Sequence, residues 1–142
     1  MSCLVFDDEH AVKTAGIGDI IDITEMVRES VEASGIADGH CIIFIAGSTA
    51  AITTMEYESG LVADMKAALE RIAPADARYM HNEKWHDGNG YSHIRASMIG
   101  PSLSLPVING RIPLGTWQQI VLMEMDNRPR ERKVMINITG VD

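Results

Sequence analysis

Three of the five histidines, His81, His86 and His93, fall within thirteen residues, in the segment MHNEKWHDGNGYSHIR. Imidazole is a common ligand for zinc and related ions and the usual acid–base group near neutral pH. Three imidazoles in one segment can hold a divalent metal with a position left open for a ligand. Asn82, Glu83 and Asp87 add oxygens that can ligate or orient the rings, although a solvated loop is the simpler reading of Glu83. The H-x4-H-x6-H spacing matches no established zinc pattern, so it does not decide which rings converge. Each histidine can also be read as an ordinary hydrogen-bonded residue.

Four further groups could join these residues. Glu56 and Glu58 follow an extended run, where alternate residues face one side. Glu56 is a candidate metal ligand or general base; the alternative is a polar strand end. Gly47-Ser48-Thr49 follows an apolar strand and resembles half of a phosphate cradle, with close backbone approach and the Ser48 and Thr49 hydroxyls as donors. It is not a P-loop, because GxxxxGK[ST] is absent. If His93-Ile94-Arg95 is extended, Arg95 stands beside His93 and supplies the cation that a phosphorylated ligand needs. Thr116, Trp117 and Gln118 offer hydroxyl, indole and amide donors, and a core aromatic is the other reading of Trp117. No G-x-S-x-G elbow and no GxGxxG after a strand occurs, which disfavours a hydrolase nucleophile and a dinucleotide cofactor.

The elements that must position these groups can be read from periodicity. A short strand at 3–6 is interrupted by Asp7, Asp8 and Glu9 and resumes as an edge over 12–15. Ile20–Ile23 leads into a helix capped by Asp22 or Thr24. Ile23, Val27 and Val31 form its apolar face, and Gly35 ends it. CIIFIA (41–46) reads as a strand buried on both faces, followed by an extended run at 50–56. Ser59 caps a second helix over roughly 60–72, with Leu61, Met65, Leu69 and Ile72 inward and Pro74 at its end. Residues 81–90 read as an irregular loop. Three strands follow, at 102–108, 115–125 and 133–138. Asn109-Gly110 predicts a type I′ hairpin, and 126–131 a longer hairpin loop, so the last third reads as an antiparallel meander. Two helices among about seven strands make a single α+β domain over 1–142.

Composition sets the outer limits. The chain has 142 residues, 46% hydrophobic and 23% charged, which suits one globular domain. A net charge of -8 disfavours non-specific nucleic-acid binding. The local basic cluster from Arg128 to Lys133 reads as a charged hairpin tip. Cys3 and Cys41 form no CxxC and fit a reducing compartment. The start carries no signal-peptide pattern, and the run 41–46 is far too short to span a bilayer. A soluble, cytoplasmic protein without membrane or nucleic-acid partners is expected.

GSTAAITTMEYESGL, the pair His81-Asn82, His93 with Arg95, the strand GPSLSLPV and the segment GRIPLGTWQ closely resemble the YjbQ family, catalogued as an uncharacterised UPF family. The order and spacing match over about residues 20–140. The resemblance implies a barrel-like α+β fold, a homotrimer, and metal or anions near the histidines. Many bacterial members have a histidine and two threonines where this chain has Gly47-Ser48-Thr49, and His86 is the candidate to stand in for that histidine. Members are called secondary thiamine-phosphate synthases, which join a pyrimidine pyrophosphate to a thiazole phosphate with loss of pyrophosphate.

That chemistry must stabilise the departing pyrophosphate charge. The expected agents are a zinc or magnesium ion held by His81 and His93, with His86 and Glu56 as further ligands; His81, His93 and Arg95 as catalytic groups; and Ser48, Thr49, Asn82, Thr116, Trp117 and Gln118 as ligand contacts. The chain is too short for the (β/α)8 barrel, typically about 250 residues, so the reaction would run on an unrelated scaffold. The alternatives are a metal-dependent enzyme for another small phosphorylated metabolite, and a non-catalytic trimeric module that binds a metal or metabolite.

Overall fold

The computed structural model describes residues 2–142. Two antiparallel sheets stack face to face. Sheet A has the order β1–β7–β3–β5, built from β1 (Cys3–Lys13), β3 (Asp38–Ile45), β5 (Ser102–Val107) and β7 (Glu131–Val141). Sheet B has the order β2–β6–β4, built from β2 (Ile20–Asp22), β4 (Ala50–Met55) and β6 (Gln119–Glu124). The helices are α1 (Thr24–Ser34), α2 (Ser59–Ile72), α3 (Met80–Trp85) and α4 (Gly90–Ile99).

The layering follows from alternation along the strands. Cys41, Ile43 and Ile45 of β3 and Val134, Ile136 and Ile138 of β7 point inward, meeting Ile120 and Leu122 of β6 and Val27 and Val31 of α1. The opposite face of β6, Val121 and Met123, packs with Ala51, Leu69 of α2 and Ala96 of α4. Sheet B is therefore covered on both faces. Sheet A leaves its outer face open, with Ile42 and Phe44 partly exposed.

Several expectations change here. CIIFIA is buried on one face only; the strand enclosed on both sides is β6. The fold is α+β as expected, but it has four helices rather than two, and the sheets do not close into a barrel. The meander is absent. β5 pairs with β3, β6 with β2 and β4, and β7 with β1 and β3. The Asn109-Gly110 turn does form, with both φ angles positive (50° and 71°) and a bridge between Ile108 and Arg111. The chain then crosses to sheet B instead of returning along β5. Likewise 126–130 carries the chain from sheet B to sheet A. Turn chemistry dictates a local reversal, not which sheet the next strand joins.

Local signals held better. Gly35 caps α1 with φ 68°. The N-cap of α1 is Ile23 rather than Asp22 or Thr24; Asp22 accepts the Thr24 N–H (2.9 Å), and the Thr24 hydroxyl accepts the Ile120 N–H (2.9 Å), pinning α1 to β6. The cap of α2 is Glu58 rather than Ser59: its carboxylate accepts the Gly60 and Leu61 N–H groups, which assigns that residue a structural role. β1 runs unbroken through Asp7, Asp8 and Glu9, because Asp7 and Glu9 lie on the solvated face.

Candidate functional site

The histidine segment is helical. α3 and α4 meet at a tight corner, where Asn82 Oδ1 accepts the Gly90 N–H at 2.8 Å. A Cβ at position 90 would lie 2.6 Å from Tyr79 Cβ, so only glycine lets the two helices approach this closely. The corner stacks His81 on His93, with ring centroids 4.4 Å apart and a 54° tilt. Asp87 Oδ1 lies 3.4 Å from His81 Nε2. The Asn89 amide fills the gap between them. With its nitrogen toward Asp87 it donates to both carboxylate oxygens (2.9 and 3.2 Å) and faces His81 Nε2 at 3.1 Å. The opposite orientation sets an oxygen against that carboxylate, with that oxygen 3.1 Å from His81 Nε2 and the amide nitrogen donating to Asp126 at 3.4 Å; the first satisfies both Asp87 contacts.

Beneath Asn89 lies a buried polar network that joins the ends of the two sheets. Glu124, at the end of β6, and Arg132, early in β7, point into the space between the sheets. Arg132 Nε donates to Glu124 Oε2 at 2.8 Å and Nη2 to Oε1 at 2.5 Å. Arg132 Nη2 also donates to Thr49 Oγ1 at 2.8 Å, and that hydroxyl donates to Asp126 Oδ2 at 3.1 Å. Arg130 Nε donates to the same Oδ2 at 2.7 Å. Glu124 and Asp126 have no exposed surface. Burial acts most strongly on Asp126 and pushes its pKa up. The Arg130 hydrogen bond, the Asn127 N–H and the Arg130 charge together outweigh it, so the carboxyl ends below its ordinary range. An ionised carboxylate is thereby held next to the His81–Asn89 pair.

Position 47 leaves no room for a side chain beside Arg132. Gly47 has φ 126°, and a Cβ there would lie 2.9 Å from Arg132 Nη1. A histidine at 47 would displace the guanidinium that pairs with Glu124. Ser48 is exposed beside it and, with Gly47, Ala96 and Ser97, lines a shallow cleft of about 130 Å³ against α4. His93 and Ser97 are one turn apart on that helix, although His93 does not line the cleft.

The other expected residues lie elsewhere. Arg95 does not stand beside His93: the segment is helical, and two residues turn about 200°. Its guanidinium is buried on another face of α4, bound to Ala73 O and Glu70. His86 caps α3 in the left-handed region (φ 59°) and lines a separate cleft with Arg78 and Glu83. Asn82 is a hinge of the α3–α4 corner. Glu56, Thr116, Trp117 and Gln118 cluster at the opposite end of sheet B. There Met55 pairs with Gln119, while Ala50 pairs with Glu124 at the histidine end. Five strand steps separate the two ends, about 17 Å. Trp117 is 71% exposed rather than a core aromatic. Gln118 bridges the Gly115 N–H (3.1 Å) and the Thr54 hydroxyl (3.2 Å).

The residues that reading by motif missed are Glu124, Asp126, Arg130 and Arg132. A signal was available: IVLMEMD places two carboxylates in the most apolar strand of the chain, and carboxylates so placed need partners. Among the described residues no three His, Cys, Asp or Glu side chains converge to hold a metal ion. No helix is long and apolar enough to cross a membrane.

The two-sheet α+β fold with these four helices is that of a known class of small protein. Residues 8–141 match the family described as UPF0047 protein YjbQ-like, and the chain belongs to that family. A UPF0047 protein of Methanothermobacter thermautotrophicus is 42% identical over 96% of this chain and 93% of its own length. One from Archaeoglobus fulgidus is 36% identical over 90% of this chain and 97% of its own. The crystal structure of a YbjQ-like protein of unknown function from Sulfolobus solfataricus superimposes with a TM-score of 0.92 at 36% identity, covering 98% of this chain and 99% of the other.

Proposed function

We propose that the protein is a low-efficiency transferase acting on small phosphorylated substrates, of the thiamine-phosphate synthase type. The observation that carries this reading is the His81–His93 stack, set beside Asn89, with ionised Asp126 below it and the Ser48 cleft alongside. Such a site offers imidazoles for proton transfer and hydroxyls for phosphate oxygens at one rim. In the reaction, the thiazole nitrogen attacks the methylene carbon of the pyrimidine as the carbon–oxygen bond breaks and pyrophosphate departs with the electron pair. An imidazole N–H of His93 donates a hydrogen bond to the leaving oxygen as its charge develops. Asn89 and Asp87 orient His81.

A divalent ion, zinc or magnesium, is part of the proposal as a binding partner of His81 and His93. The support for this is the closeness of the two rings, with centroids 4.4 Å apart. Among the described residues no three donors converge, so a closed ligand set would need a substrate oxygen or a second subunit.

Self-association as a homotrimer would also complete the ligand contacts. Met80, Trp85, Ile94 and Met98 stand exposed around the histidines, and Tyr57 and Trp117 around the far end of sheet B. Joining these two surfaces between subunits would bring Thr116, Trp117, Gln118 and Glu56 of one chain to the histidines of the next. The test uses purified protein with both thiamine precursors and Mg2+. Thiamine phosphate should form above background, and His81→Ala and His93→Ala should each abolish it with assembly unchanged. Mixed assemblies of His93→Ala and Gln118→Ala chains should regain part of the activity. Unchanged turnover in both histidine variants would remove the site; a 15.5 kDa monomer in sedimentation at micromolar concentration would remove the shared-subunit form.

A further inference from the structure

A second cavity, independent of the histidine corner, lies between sheet B and the helices α2 and α4. Its volume is about 170 Å³. Ile17, Ile20, Leu69, Met123 and Met125 make its walls. An apolar cavity of about 150 Å³ already accommodates benzene, so one ring or a branched aliphatic group fits.

Two cations line the same cavity. Arg95 is 4% exposed and held rigidly: Nε and Nη2 donate to Ala73 O (3.0 and 2.8 Å), and Nη2 to Glu70 Oε2 (2.6 Å). Its Nη1 has no hydrogen-bond partner among the described residues. The only fully enclosed side-chain polar atom without a partner there is Ser92 Oγ. Nη1 is therefore not fully enclosed; the guanidinium carbon lies 4.9 Å from the centre of the Tyr91 ring, and Arg95 lines the cavity. Lys66, the second cation, forms no ion pair among the described residues. Its aliphatic stem lies across Gly18, where a Cβ would meet Lys66 Cε at 3.3 Å and Cδ at 3.4 Å. Gly18 has φ 77°, so the absent side chain both permits the turn and lets the lysine lie along the cavity.

Of the acidic groups at the cavity, Glu124 is taken up by Arg132 and Glu70 shares Arg95, so Lys66 is the cation left without an ion pair among the described residues. Glu70 is paired with Arg95 and accepts the Ala75 N–H. The Glu124 oxygens accept from Arg132, the Thr14 hydroxyl and the Asp126 N–H. A buried arginine with a free donor, an unpaired lysine and an apolar chamber of ring size form a recognition set for one chemistry. We propose that this cavity binds a small organic oxyanion with a single-ring or branched apolar body, the body seated on Leu69 and Met123 and the anionic group between Arg95 Nη1 and the Lys66 ammonium.

The test is NMR titration of the intact protein with benzoate, phenyl phosphate and benzylamine, each to about 10 mM. At least one of the two anions should shift Ile17, Ile20, Leu69 and Met123 signals saturably, and which of them does so distinguishes a carboxylate from a phosphate ligand. Benzylamine should leave those signals unchanged. Lys66→Glu alters an exposed residue and should fold normally while weakening anion binding about tenfold. Equal response to benzylamine, no response to either anion, or full anion affinity in Lys66→Glu would overturn the proposal. His93→Ala should leave these shifts intact, so the outcome is separate from the fate of the histidine site.

Discussion

Arg132→Met tests the network beneath the histidine corner. Arg132 is 7% exposed and grips the fully buried Glu124 carboxylate through two hydrogen bonds. Removing the guanidinium leaves that carboxylate only the Thr14 hydroxyl (2.7 Å) and the Asp126 N–H (3.0 Å). Stripping one partner from a buried ion pair costs about 3–5 kcal/mol. For a chain of this length that lowers Tm by roughly 10 °C. Glu124→Met should cost a similar amount, since Arg132 would keep only Thr49. The double variant replaces the pair with apolar side chains, which is often close to neutral. Its remaining cost comes from the Asp126 N–H left without a partner, about 1 kcal/mol; the Thr14 hydroxyl keeps Arg130 and the Thr49 hydroxyl keeps Asp126. The expected coupling between the two sites is therefore about 3 kcal/mol or more. Urea denaturation of the four proteins at one fixed concentration, followed by tryptophan fluorescence, measures it. Simple additivity, or a loss below about 1 kcal/mol in Arg132→Met, would refute the picture of a desolvated pair that clamps the ends of the sheets.

Three further outcomes are expected. Gly47→Ala should destabilise by about 2 kcal/mol, because φ 126° disfavours any L side chain and the new Cβ meets Arg132; thermal melts check it, and an unchanged Tm would count against the crowding. Asp126 has a folded-state pKa below its unfolded value, so its contribution is present above about pH 4 and lost as pH falls through the lower value; acid titration of stability should show this loss, and Asp126→Asn should flatten it. Cys41 is buried, and burial raises its thiol to about 11, whereas Cys3 is exposed; at pH 8 a thiol reagent should modify Cys3 quickly and Cys41 only on unfolding.

The parts of the fold that were legible in the chain are those with local causes. Gly35 ends α1 because a left-handed cap suits glycine, and Asn109-Gly110 turns because both residues tolerate positive φ. Leu61, Met65 and Leu69 mark the inward face of α2 by their period. The histidine segment stands out by its composition, although its helices do not: Gly88 and Gly90 flank a corner that looks like loop in one dimension. Family membership was likewise carried by sequence alone, through the order of its motifs.

Which strand lies beside which was decided only by tertiary structure. The connections after β5 and β6 leave one sheet for the other, and nothing local in GRIPLGTW or DNRPRE states the destination. The same step brought together residues from distant segments: Thr49 from the β3–β4 connection, Asn89 from the α3–α4 corner, Asp126 after β6 and Arg132 from β7. It also separated neighbours, sending His93 and Arg95 to different faces of one helix. Residue types and short spacings determine what chemistry a chain can offer. Burial and partner choice, which set the ionised state of Asp126 and the free donor of Arg95, depend on contacts between segments far apart in sequence.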